Sequence, residues 1–112
     1  MEKIYNKLVR DNIPEIIKAD NCIPITRILS DEEYKTELEK KLYEEYTEVL
    51  SATDTNDRIE ELADMLEIIE SLAYLEQKTL EDVIKVAKVK SLKRGAFKKK
   101  IFLEKSIEPD TK

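Results

Sequence analysis

Residues 41–64 read KLYEEYTEVLSATDTNDRIEELAD, two helical segments about a polar break, each carrying a pair of acids three residues apart. The first pair is Glu45 and Glu48, with Glu44 beside it; the second is Glu61 and Asp64, with Glu60 beside it. An i, i+3 spacing puts both members of a pair on one face of a helix. Which face that is matters most. With Leu38 as zero, Leu42 falls at about +40°, Val49 at about +20° and Glu45 at about −20°, so Glu45 points where the apolar residues point. Glu48 falls at about −80°, at the edge of the stripe, and Glu44 at about −120°, at its rim. In the second segment Ile59, Leu62, Ala63 and Leu66 form one stripe, and Met65, Ile68, Leu72 and Leu75 form another. Glu61 and Asp64 lie in line with the second.

If the two segments pair antiparallel through residues 51–57, these carboxylates converge. Two charges about 5 Å apart at an effective dielectric of ~20 repel by roughly 3 kcal/mol, and four of them make several such pairs. Some must hold protons, or a cation must sit among them. The chain has no His and one Cys. An oxygen-only ligand set of Glu45, Glu48, Glu61 and Asp64 suits a hard ion, Mg²⁺ or Mn²⁺, rather than zinc. The competing explanation is that they are ordinary solvated charges of a Glu-rich helix.

Glu45-x-x-Glu48 followed by Glu61-x-x-Asp64 resembles the ExxE…ExxD signature of the all-α nucleoside triphosphate pyrophosphohydrolases, the MazG-like group. Two further segments carry the same resemblance. Tyr5-Asn6-Lys7-Leu8-Val9-Arg10-Asp11, followed by Ile13-Pro14-Glu15-Ile16-Ile17, looks like the NKLVRDKIPEII start of small members related to phosphoribosyl-ATP pyrophosphohydrolase. Lys90-x-x-x-Arg94-Gly95-Ala96-Phe97 looks like their K-x-x-x-RGGF segment. The likeness spans residues 5–103, with Asn12 in place of a lysine and Ala96 in place of a second glycine. It implies a helical bundle in which the four acids hold Mg²⁺, with Mn²⁺ as the alternative ion. The implied reaction converts a nucleoside triphosphate to a monophosphate and pyrophosphate.

The chain of 112 residues is long enough for one domain with a stable core, expected over residues 1–107. One Gly, three Pro and 40% charged residues favour long helices over turn-rich β structure. A net charge of −5 argues against nucleic acid as a default partner. The lone Cys22 offers no disulfide framework, is expected to be buried, and fits a reducing cytoplasm. The start, MEKIYNKLV, is neither a signal peptide nor a membrane anchor, and no apolar run approaches the ~18 residues that would span a bilayer.

Residues 1–11 lack a period and are read as an extended arm. Its Lys7 and Arg10 either offer charge to a phosphate chain or tether the arm through an ion pair with an acid. A short helix is expected from Asp11 to Asn21, with Pro14 in its first turn. Pro24 disfavours helix in Cys22–Leu29; with Lys100–Glu104 this segment is the one β element the sequence allows, a minor two-strand edge pair. Ser30 before Asp31, Glu32 and Glu33 is a capping box that opens a long helix reaching Ala52. The next runs from Asn56 to Glu76, and its two apolar stripes imply a partner on each side, so a homodimer or higher homo-oligomer is expected.

Thr79 is the expected cap of a last helix that Gly95 ends in the left-handed conformation. Lys90 and Arg94 fall beside its apolar stripe. They either complement the helix dipole or hold phosphate oxygens, Arg as a fork and Lys as a point charge. The basic run 93–100 accompanies no nucleic-acid-binding pattern, and the tail 108–112 is expected to be disordered. No phosphate-binding glycine loop is present, and the chain lacks a His for a nucleophilic triad. Hydrolysis by metal-activated water is thus the simplest enzymatic reading, with Glu44 or Glu48 as the carboxylate acting on water. Phosphoribosyl-ATP pyrophosphohydrolase and a non-catalytic helical interaction module are the alternatives.

Overall fold

The computed structural model describes residues 1–110. Among them the chain is all-α, with α1 (Ile13–Ala19), α2 (Asp31–Ser51), α3 (Thr55–Leu75) and α4 (Leu80–Arg94). The chain divides into two compact units, one ending at Leu80 and one beginning at Glu81.

In the first unit, the helices end where local chemistry stops them. α1 carries Pro14 in its first turn, where a missing N–H costs no intrahelical bond. It closes at Asn21, whose φ of 61° lets the Cys22 N–H reach Ile17 O (3.1 Å) and its own N–H reach Lys18 O (3.0 Å). Gln77 does the same for α3, with φ 59°, the Lys78 N–H on Ala73 O and its own N–H on Tyr74 O, both 2.9 Å. Both are Schellman endings built without glycine.

α2 opens on the expected capping box: Ser30 Oγ accepts from the Glu33 N–H, and Glu33 Oε1 accepts from the Ser30 N–H, both at 3.2 Å. Arg27 forks onto the same carboxylate at 3.3 and 3.0 Å, and this hydrogen bonding holds Glu33 down to about 2. The α2–α3 turn is equally local. Asp54 Oδ1 caps α3 by accepting from the Asp57 N–H (2.9 Å), and Arg58 donates to Val49 O (3.1 Å), a carbonyl in the last turn of α2. So short a turn makes α2 and α3 an antiparallel hairpin.

The core lies along that hairpin. Leu38 and Val49 of α2 and Ile68 and Ala73 of α3 are its buried apolar residues. Met65 and Leu72 are half-buried beside Ile68, so the stripe of Met65, Ile68 and Leu72 faces α2. The other stripe of α3, Ile59, Leu62 and Leu66, is exposed.

Two expectations are corrected. Neither 22–29 nor 100–104 forms a strand, and no strand exists among the described residues. Pro24 removes a ladder donor and fixes φ, while Ile23, Ile25 and Ile28 are exposed rather than seated on a sheet face. Cys22 is exposed as well, because it follows the left-handed Asn21 at the end of α1; its Sγ lies 3.7 Å from Asp20 O.

In the second unit, α4 ends at Gly95, whose N–H bonds Ser91 O (2.8 Å) and whose φ of 83° is the left-handed value expected of it. Residues 101–110 carry no helix or strand. The expected disordered tail falls partly on 111–112, outside the described residues.

Candidate metal centre

The middle of α2 and the first half of α3 face each other in the hairpin, and their inward positions include acids. One carboxylate oxygen from each of Glu45, Glu61 and Asp64 lies within 4.8 Å of the others. Glu45 is 8% exposed, a depth at which carboxylates are almost always paired, yet its Oε2 has no hydrogen-bond donor. Glu61 Oε2 is shielded and equally without a partner. The cause is the angular placement of Glu45 within 20° or so of the line of Leu38 and Val49. Packing the apolar stripe buries the acid with it.

Electrostatics follow from that burial. Desolvation raises the Glu45 carboxyl above the ordinary carboxylate range, with repulsion from Glu48 and Asp64 adding to the shift and Lys41 and a hydrogen bond with Glu61 partly offsetting it. The Glu61 carboxyl is pushed up to about 7, first because its protonated form donates a hydrogen bond to Glu48, then by burial and by repulsion from Glu48, Glu45 and Asp64. At neutral pH the cluster therefore shares its charge with a proton. A divalent cation would replace that proton, and the donors are all carboxylate oxygens, the set that a hard ion accepts. Buried oxygens without donors distinguish this cluster from a solvated acidic face.

In the first unit, the remaining sequence candidates differ in how they relate to this centre. Glu48 is exposed and touches the cluster through Glu61. Glu44 is half-buried but turned along its own helix, 3.6 Å from Lys41 Nζ. Arg10 crosses from the N-terminal arm to α3, with Nη2 2.7 Å from Asp64 Oδ1 and Nη1 3.5 Å from Glu67 Oε1. It thus makes the ion pair that the tether reading required. Lys7 is exposed. In the second unit, Lys90 and Arg94 share one face of α4 with Lys85, Val86, Val89 and Lys93, which together border a shallow groove.

Three residues were not singled out by the sequence. Ser51 and Asp57 border, with Glu48, Ala52 and Glu61, an open concavity of about 230 Å³ beside the cluster. Glu67 receives Arg10; its place three residues after Asp64, on the same helix face, is the signal that could have found it.

Comparison with known proteins adds little to this geometry. No family model and no solved structure matches the chain. An uncharacterized protein of Mycolicibacterium smegmatis is 53% identical over 51 residues, a match covering 46% of this chain and 51% of that protein. The chain thus spans about half the length of the relative it matches.

Proposed function

We propose that this chain is a Mg²⁺-dependent nucleoside triphosphate pyrophosphohydrolase that releases a nucleoside monophosphate and pyrophosphate in cytoplasmic nucleotide housekeeping. The observation that carries the reading is the buried Glu45 carboxylate, whose Oε2 has no hydrogen-bond partner and which converges with Glu61 and Asp64. The ordered motifs over residues 5–103, similar to those of MazG-like and phosphoribosyl-ATP pyrophosphohydrolases, supply the substrate class.

Glu45, Glu61 and Asp64 would hold the ion, with Glu48 at its margin. A bound Mg²⁺ supplies Lewis acidity toward phosphate oxygens and lowers the pKa of water. The chain's own part is to place carboxylates about the reacting group and to manage protons. Glu48 is exposed at the concavity beside the cluster, whereas Glu44 is engaged with Lys41, so Glu48 is the better placed to orient or deprotonate water. In the metal-free chain Glu61, pushed up to about 7, holds the proton that a bound ion would displace. Lys7 and Arg10 are the first unit's candidates for phosphate oxygens; Lys90 and Arg94, in the second unit, are candidates from the motif resemblance alone.

Two features bear on the other readings. No helix of the described residues is long and apolar enough to cross a membrane. The exposed stripe of Ile59, Leu62 and Leu66 favours association, either as a homo-oligomer of the enzyme or as a helical interaction module without catalysis.

Pyrophosphate release from a panel of ribo- and deoxyribonucleoside triphosphates and phosphoribosyl-ATP, with and without Mg²⁺ or Mn²⁺, tests the proposal. Metal-dependent release is expected, and Glu61→Gln should lower it by at least ~10²-fold, beyond the 10–100-fold typical of an outer-shell partner. Silence across the panel with helicity intact would overturn it in favour of the interaction module.

A further inference from the structure

Arg10 is the only residue of the N-terminal arm that an ion pair joins to the hairpin among the described residues, and it lands on one of the three converging carboxylates. Its partners are separated from it by more than fifty residues of sequence, so the contact is not a by-product of helix periodicity. Asp64 Oδ1 takes one arm of the guanidinium at 2.7 Å and Glu67 Oε1 lies 3.5 Å from the other. The Arg10 side chain is 57% exposed, so no packing locks it there. A guanidinium keeps its charge at any ordinary pH, so beside a bound divalent ion it would be a second positive charge repelled from the same carboxylate.

We propose that Arg10 is a latch: in the metal-free chain its guanidinium stands in for part of the missing cation charge at Asp64, and it leaves that carboxylate when a divalent ion binds. The guanidinium edge that leaves Asp64 is then open next to the site, where a phosphate oxygen is its natural acceptor. This inference rests on the reading of Glu45, Glu61 and Asp64 as an ion site. Glu67, outside the triad, is the second anchor, which keeps Arg10 close to the site while Asp64 changes partner.

Trypsin reads the latch directly, because it cleaves after arginine only when the guanidinium enters its own specificity pocket. The rate of cleavage after Arg10, relative to that after the exposed Lys7 of the same arm, is measured on the full chain in EDTA and in saturating Mg²⁺. Glu61→Gln serves as the control, and calorimetry reports whether Mg²⁺ is bound. The ratio is expected to rise about two- to fivefold with Mg²⁺ in the wild-type chain, the factor an exposed ion pair of ordinary strength represents, and to stay flat in Glu61→Gln. Arg10→Gln is expected to tighten Mg²⁺ binding by a similar factor. Bound Mg²⁺ with an unchanged ratio would overturn the latch and leave the ion site standing. Absence of Mg²⁺ binding in both the wild type and Arg10→Gln would overturn the ion site and the latch with it. A rise that persists in Glu61→Gln would also overturn it, since the response would then not come from the cluster.

Discussion

Glu61 is a carboxyl whose proton is worth more to the folded chain than to the unfolded one. Its folded value of about 7 lies above the ordinary 4.5, so between those limits the folded state binds more protons. The stability this contributes is complete below pH 4.5 and is lost as pH rises through about 7. In EDTA the wild-type Tm should therefore fall between pH 5 and pH 8, while Glu61→Gln, which keeps a donor for Glu48 without the charge, should show a flatter profile and a higher Tm at pH 8. Adding Mg²⁺ at pH 8 should raise the wild-type Tm and leave Glu61→Gln unchanged, as thermal melts would show. A wild-type profile that rises from pH 5 to pH 8 would mean that the cluster is solvated. At this scale the sequence showed most for Glu45, because its angle alone placed it among Leu38 and Val49. It showed least for Arg10, since nothing in a stretch without period reveals which of several acids an arm will meet.

The helices themselves were legible where a side chain caps them. Ser30 and Glu33 make the reciprocal bonds that their spacing implied, and Gly95 takes the left-handed conformation that its solitary place after Arg94 suggested. Ser30→Ala should cost about 1 kcal/mol of stability, measurable by urea denaturation, because it orphans the Glu33 N–H. A loss near zero would show that the Arg27–Glu33 fork holds the start of α2 unaided. Less legible were the ends at Asn21 and Gln77, where non-glycine residues adopt φ near 60°. Propensity alone would not choose Gln for that conformation, which is held by the Gln77 N–H on Tyr74 O and the Lys78 N–H on Ala73 O. The proposed strand pair failed for a related reason. A run of β-branched residues around Pro24 has the composition of a strand, but composition does not supply the partner hydrogen bonds that make one.

For the molecule as a whole, the hairpin buries one stripe of α3 and leaves the other open. Ile59 is 60% exposed, Leu62 44% and Leu66 47%, on a single helix face. Met65, Ile68 and Leu72 of one stripe face α2, whereas Leu75 of the same stripe is exposed; what covers the other stripe is not a property of one chain's periodicity. If a second copy covers it, the wild type should sediment as a dimer or larger at micromolar concentration, and Leu62→Lys should shift it to monomer by burying a charge at the interface. A monomeric wild type would contradict that assembly without touching the acid cluster. Every role proposed for Glu45, Glu61, Asp64 and Arg10 requires the cluster to be an ion site, and the decisive measurement is titration with Mn²⁺ followed by electron paramagnetic resonance of the free ion at pH 7.5. The wild-type chain should bind Mn²⁺ and Asp64→Asn should bind it at least about tenfold more weakly, with the same helical circular dichroism. Equal affinity in the two chains, or no binding in either, would contradict the account.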